Sequence, residues 1–435
     1  MLANRTLRTT TAAEAVARID SNENVFIGSG AAEPERLVEA LTARADVLRG
    51  VDIYSILTLG KAPYVAPQYA ESFRHVAFFI GPNVREAVQA GRAEFMPIFL
   101  SEIPGLFRNR VPIDCALVQL SPPDRHGYCT VGVAADVVVG AIRSARRVVA
   151  EINPKMPRTW GDTLVHVSEI EAAVEVDAPL PELVPEPIDE VSALIGQHVA
   201  GLIHDGDCLQ LGIGSIPNAV LAALRGHRRL GVHTEMLSDG IVDLVEAGVI
   251  DCAAKNYRPH KAICSFVMGT RRLYDFVDDN PFVESYGNDF VNDPFIIARN
   301  DNMVAINSAL AIDLTGQVCA DSVGGRPYSG IGGQVDFIRG AARSEGGRAV
   351  IALPSTAKQG TISRISVTLE PGAGVVTSRG DVRFVASEFG VGPLCEDDPR
   401  ARAGADRHCA SELPRVARAR GDRKSTRLNS SHANV

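Results

Sequence analysis

The feature that most restricts how this chain can fold is one pattern written twice. Val25-Phe-Ile-Gly28-Ser-Gly30-Ala-Ala-Glu-Pro34-Glu-Arg-Leu37-Val-Glu-Ala-Leu41 returns as Leu209-Gln-Leu-Gly212-Ile-Gly214-Ser-Ile-Pro217-Asn-Ala-Val220-Leu-Ala-Ala-Leu224, with one residue of slack before the proline. Each copy reads as a strand, a G-x-G turn and a helix with proline in its first turn, where a missing N–H has no helical partner to lose. Two copies predict two similar units. Short apolar runs, often β-branched, recur between helical patterns: Val25 to Ile27, Val51 to Leu57, Val76 to Ile80, Cys115 to Leu120, Arg147 to Glu151, Leu209 to Leu211, Ala262 to Met268, Met303 to Ile306 and Ala349 to Leu353. Strands alternating with helices imply an α/β fold of two open, mostly parallel sheets, each covered on both faces.

The length of 435 residues accommodates two or three units of about 150 residues. The acidic, proline-rich stretch Val174 to Ile188 has linker composition, which divides the chain into an N-terminal α/β domain, 1–188, and a C-terminal α/β domain, 189–392. Residues 393–435 lose apolar periodicity and turn rich in Arg, Ala, Asp and Ser. They read as a disordered tail, or as an aberrant one: a frameshift near 392 followed by adapter-like sequence in Lys424-Ser-Thr-Arg-Leu-Asn-Ser-Ser-His-Ala-Asn-Val435.

The net charge of -8 offers no general attraction for polyanionic nucleic acid. No apolar run approaches the roughly 20 residues of a membrane span, and the N-terminus lacks a signal-peptide core, so a cytoplasmic protein is expected. The eight cysteines are scattered without a C-x-x-C pair, which suggests buried free thiols rather than a zinc site or disulfide framework.

Three segments carry candidate chemistry. Gly212 and Gly214 flank a turn before a helix start, where bare N–H groups and the helix dipole favour an anion; such a turn is equally a plain tight turn. The third glycine of a dinucleotide fingerprint is absent, since Pro217 follows Ile216, and no Walker A sequence occurs, so neither NAD nor ATP is favoured. Glu235, in His233-Thr-Glu-Met-Leu-Ser-Asp239-Gly240, falls between a strand and a helix expected over Ile241 to Ala247, at the edge where α/β sheets bind ligands; a helix-capping carboxylate would occupy the same place. Gly330, Gly332 and Gly333, followed by Gln334, concentrate glycine where each costs a helix about 1 kcal/mol, as in a backbone shaped to receive something or in a purely structural loop. Asn307, closing the strand Met303 to Ile306, is a candidate donor, although a polar side chain there is more often a turn former.

Taken in order, these segments resemble the acetyl-CoA hydrolase/CoA-transferase family, which includes 4-hydroxybutyrate, butyrate, acetate and succinate CoA-transferases. The resemblance runs from about residue 5 to 392. Ser121-Pro-Pro-Asp124-Arg-His-Gly-Tyr128 and Pro157-Arg-Thr159 carry it in the first half, and Leu211 to Pro217, His233 to Gly240, Ser329 to Asp336 and Ile351-Ala-Leu-Pro-Ser355 in the second. It implies a site between the domains and a ping-pong transfer of coenzyme A from a short-chain acyl-CoA to a small carboxylate through a glutamyl-CoA thioester on Glu235. By the same resemblance, the backbone N–H groups of Gly332 and Gly333 stabilise oxyanions, Asn307 orients the glutamate, and Glu388 is a second active-site carboxylate. It further implies CoA thioester as substrate with no permanently bound cofactor or metal, no nucleic-acid or membrane partner, and a homodimer or higher homo-oligomer. Hydrolysis of acetyl-CoA is the alternative outcome of the same intermediates. A non-catalytic sensor of acyl-CoA or small acids is the alternative from another class.

Overall fold

The repeated pattern becomes two open sheets in the computed structural model, which describes residues 7–394. The first has seven parallel strands in the order Ala172–Glu175, Arg147–Ile152, Cys115–Leu120, Asn24–Ile27, Val51–Ser55, Phe73–Ala77, Glu94–Phe95. The second runs Gly231–Val232, Cys208–Leu211, Met303–Ser308, Arg348–Ala352, Phe384–Ser387, Gly390–Pro393, parallel except for its last pair. Strand order reverses beside Asn24–Ile27 in the first sheet and beside Cys208–Leu211 in the second. Each G-x-G turn therefore leaves its sheet at a topological switch point, the place where such sheets open a crevice.

The strands alternate between cores. In Asn24–Ile27, Phe26 joins one core and Val25 and Ile27 another; in Cys115–Leu120, Ala116, Val118 and Leu120 oppose Cys115 and Leu117. The second sheet repeats this, with Val304, Ile306, Val350 and Ala352 on one face and Met303, Ala305, Ala349 and Ile351 on the other. Strands buried on both faces are mostly apolar, which explains why Cys115–Leu120 shows no polar alternation and carries only Gln119 as a polar residue. Phe26 and Val304 belong to the same contiguous core, so one face of each sheet is buried within a mass shared by both halves.

Several boundaries differ from expectation. Strand Ala172–Glu175 takes the first residues of the expected linker, because Val174 is buried against the first sheet. The run Val76 to Ile80 pairs earlier, as Phe73–Ala77, freeing Phe78 to Ile80 for contacts beyond the sheet. The run Ala262 to Met268 is two strands, Ala262–Cys264 and Phe266–Val267, in different sheets. The break falls at Ser265, whose carbonyl accepts from the Ala135 and Asp136 amides of the first half at 2.9 and 3.0 Å. The hairpin Phe384–Ser387 with Gly390–Pro393 was not foreseen. Beyond residue 394, the segment expected to be disordered or aberrant lies outside the described residues.

Candidate active site

Leaving the second sheet at Gly231–Val232, the chain crosses to Met236–Leu237, which pairs with Phe266–Val267 in a separate two-stranded sheet. Glu235 lies in the crossing. Its carbonyl accepts from the Ser265 and Phe266 amides at 2.9 and 3.0 Å. Thr234 Oγ1 donates to Leu211 O at 3.0 Å, tying the crossing to the residue before the Gly212 turn. His233 is fully buried; burial pushes its pKa down to about 3, so it is neutral and donates Nε2–H to Val291 O at 2.9 Å.

The Glu235 carboxyl meets two donors. Asn292 Nδ2 donates to Oε2 at 3.0 Å, and the Gly333 backbone N–H acts on the same carboxyl. Glycine is required at 333 because a β-carbon would overlap Glu235 Oε2. The preceding loop is fixed against the first half. Ile80 N donates to Ser329 O at 3.0 Å, and Arg85 Nε donates to Tyr328 O at 2.8 Å while its guanidinium stacks 4.0 Å from that ring's centre. A β-carbon at Gly330 would stand 3.0 Å from Phe78 O, so this contact too depends on glycine. Gly332 takes a left-handed φ of 57°, and helix Gln334–Arg343 then starts with its positive end toward Glu235.

Burial pushes the Glu235 pKa up from 4.5 to about 7, and the negative charges of Asp336 and Asp136 add to the rise, while the donors from Asn292 and Gly333 oppose it. Glu235 nevertheless keeps partial solvent exposure. Asp336 accepts from Ser101 N at 3.1 Å and Ser101 Oγ at 3.0 Å; burial raises it to about 7. Asp136, raised by burial to about 6, accepts from Ser29 Oγ at 2.5 Å and from the Val137 and Val138 amides at 2.6 and 3.1 Å. Ser29 is the middle residue of the first G-x-G turn, so the first half reaches the same neighbourhood.

Of the residues singled out in the sequence, Glu235 and Gly333 are brought together, with Gly332 beside them. Gln334 spends both ends of its amide on protein: Nε2 donates to Ser308 O at 2.7 Å and Oε1 accepts from Thr377 Oγ1 at 3.0 Å. It anchors the helix start to the strand end that carries Asn307. Asn307 itself donates to Gln210 Oε1 at 2.9 Å. Gly212 and Gly214 border open space, with no atom within 4 Å of a β-carbon at either, and Gly214 has φ 113°. Glu388 accepts from Ser355 N at 2.8 Å and Ser355 Oγ at 2.5 Å. Among the described residues, no hydrogen bond links Asn307 or Glu388 to Glu235.

Asn292 was not singled out in the sequence, yet it bonds the Glu235 carboxyl, whereas Asn307, expected to orient that glutamate, bonds Gln210. The signal for Asn292 was the pair Asn288 and Asn292, two amides four apart on the stretch Asn288-Asp-Phe-Val-Asn292, both buried. The six described cysteines are free and buried, and burial lifts Cys115, Cys129 and Cys208 to about 12, leaving inert thiols. No helix among the described residues is long and apolar enough to cross a membrane.

Comparison with known proteins identifies the family. Residues 5–185 match the acetyl-CoA hydrolase/transferase N-terminal domain and residues 269–411 the corresponding C-terminal domain. A 4-hydroxybutyrate coenzyme A transferase from Clostridium kluyveri is 48% identical across 91% of this chain and 92% of its own. A succinyl-CoA:acetate/propanoyl-CoA:succinate CoA transferase from Fasciola hepatica is 46% identical, covering 88% of this chain and 80% of its own. The crystal structure of a 4-hydroxybutyrate CoA-transferase from Porphyromonas gingivalis superimposes with a TM-score of 0.82 at 37% identity, over 97% of this chain and 98% of that one. With both domain models matched and identity sustained across nine-tenths of the sequence, the chain belongs to the acetyl-CoA hydrolase/transferase family.

Proposed function

We propose that this protein is an acyl-CoA:carboxylate CoA-transferase in which Glu235 is the nucleophile and carries coenzyme A between a short-chain acyl donor and a small carboxylate acceptor. The observation that carries the proposal is the unequal treatment of the two carboxylate oxygens. Oε2 is held by Asn292, with Gly333 N–H close by, whereas among the described residues no donor is bonded to Oε1, which is left to attack.

Oε1 adds to the thioester carbonyl, the C–S bond breaks, and the thiolate of coenzyme A leaves with the electron pair, giving an acyl-glutamyl anhydride. The thiolate then adds to the glutamyl carbonyl carbon, which places the developing oxyanion on Oε2, already facing the Asn292 and Gly333 donors. Collapse breaks the anhydride C–O bond, releases the carboxylate product and leaves a glutamyl-CoA thioester. An incoming carboxylate runs these steps in reverse, so protons balance without an acid or base. Preset donors at an oxyanion are worth about 3–4 kcal/mol each in transition-state stabilisation. Partial burial helps as well, because a carboxylate short of water is the stronger nucleophile. The names of the 4-hydroxybutyrate, succinate and acetate relatives support transfer to small acids over hydrolysis.

Incubation with acetyl-CoA or butyryl-CoA followed by intact and peptide mass spectrometry tests the reading. A coenzyme A adduct on Glu235, sensitive to borohydride and absent from Glu235→Ala, is expected. Absence of any adduct on Glu235 while turnover proceeds would overturn it.

A further inference from the structure

We infer that Ser265 and Asn288 form a hydrogen-bond relay that starts and ends on Glu235 and decides which end of the Asn292 amide faces the nucleophile's carboxylate. The inference rests on Glu235 being the nucleophile, and both relay members are positioning residues. An asparagine amide has an oxygen and a nitrogen of nearly equal size, so packing alone does not choose between its two orientations; only donors and acceptors do.

Here the choice can be followed from one atom to the next. The Glu235 carbonyl can only accept, so Ser265 Oγ, at 2.9 Å, donates its single hydrogen to it. Toward its other neighbour Ser265 Oγ is then an acceptor, and Asn288 Nδ2 donates to it at 3.0 Å. The second hydrogen of that Nδ2 goes to Asn292 Oδ1 at 2.7 Å. With its oxygen taken, Asn292 turns Nδ2 to Glu235 Oε2 at 3.0 Å. Reversing Asn292 would set its carbonyl oxygen against a carboxylate and strip the donor from the oxyanion.

Two further observations favour a built relay over incidental packing. Ser265, Asn288 and Asn292 are all fully buried, so water does not compete for these bonds. Asn288 gives both N–H groups to the relay and leaves its own Oδ1, also buried, without a hydrogen-bond partner among the described residues. An unpaired buried acceptor is rare and costly, and a side chain chosen for stability alone would not retain one. The framework around the relay is also fixed: Asn288 N donates to Asp136 O at 3.0 Å, and His233 holds Val291 O at 2.9 Å, immediately before Asn292.

A double-mutant cycle tests the relay on the full chain. Asn288→Leu removes both donors at similar volume without adding charge, and Ser265→Ala removes one oxygen; each is made alone and together with Asn292→Ala. The rate of coenzyme A attachment to Glu235 from acetyl-CoA in a single turnover is measured alongside steady-state kcat and KM. Each single variant is expected to slow attachment by about 10-fold or more, toward the ~10²–10³-fold loss that removal of an oxyanion donor causes, with KM for acetyl-CoA changed by less than about twofold. In the Asn292→Ala background neither change should slow it further, because the relay then has nothing to orient. Equal fractional slowing in both backgrounds would refute the relay and leave a packing role. Should Asn288→Leu not fold, as judged by circular dichroism, the Ser265→Ala cycle decides by the same criterion. A wild-type enzyme that forms no adduct on Glu235 refutes the nucleophile reading and the relay with it; a normal adduct rate in both relay variants refutes the relay alone.

Discussion

Replacing Glu235 with glutamine should make the protein inactive and more stable, and the gain should depend on pH. Burial raises the carboxyl from 4.5 to about 7. Between those values the native state keeps a proton that the unfolded chain has released, so stability falls as pH rises through that window. Above it the native protein carries the whole penalty of a poorly solvated charge. A shift of about 2.5 units at about 1.36 kcal/mol per unit is roughly 3 kcal/mol, and partial solvent exposure of the residue lowers this to about 1–3 kcal/mol. Glutamine keeps an oxygen for Asn292 and Gly333 to bond but brings no charge. At pH 8 the urea midpoint of Glu235→Gln should therefore exceed that of wild type by about 0.3–1 M for an m-value near 3 kcal/mol per M, and at pH 5 the gap should shrink to a fraction of this. A variant no more stable than wild type at pH 8, or stabilised equally at both pH values, would show that the site does not hold a strained carboxylate.

Three other outcomes follow from the same geometry. The pH profile of kcat/KM should show an acid limb near pH 7, where Glu235 must lose its proton, and Asp136→Asn should move that limb to lower pH by removing a neighbouring negative charge; a limb that stays in place would exclude Asp136 from the field at Glu235. Gly333→Ala should abolish detectable coenzyme A attachment while leaving the far-ultraviolet circular dichroism native, since the added methyl overlaps Glu235 Oε2. Arg348→Met should lower stability by about 3–5 kcal/mol in urea titration, because Arg348 bonds both oxygens of the buried Asp207 and its loss removes the cation that pairs this charge, leaving the His204 amide as a neutral donor.

How much of this could be read in advance follows from how local each signal is. The G-x-G repeat revealed the two-sheet plan because a strand, a turn and a helix start are adjacent in sequence, and the apolar run Cys115–Leu120 matched its strand to the residue. Glu235 and Gly333 were legible as motifs. Asn292 was not, because its importance comes from a bond to a residue 57 positions away, and an asparagine on a short helical turn looks the same whether or not it has such a partner. Asn307 suited the role from its place at a strand's end, yet its amide is paired to Gln210 on the neighbouring strand. The break at Ser265 was equally hidden: the run Ala262 to Met268 has no Gly, Pro, Asn or Asp, a lone Ser is a weak turn signal, and the run divides where the first half supplies two N–H donors to the Ser265 carbonyl.

That dependence on the first half extends to the chemistry. Gly330 lies against Phe78 and Phe79, Gly333 against Glu235, and only residues 331 and 332 separate the two contacts. A loop that short cannot absorb a displacement, so the distance from the Gly333 amide to the Glu235 carboxyl is set by where the first half places Phe78 and Ile80. Asp336, in the first turn of the helix that follows, is held by Ser101 of the first half as well. Asp136 meets the other side of the site through Ser265 O and Asn288 N, the two residues of the relay. Glu235 and its immediate donors belong to the second half, but the elements that aim them are braced by the first. Substitutions at the seam between the halves should therefore lower kcat before they lower stability, because a shift of a fraction of an ångström at an oxyanion costs more than the same shift in a packed core.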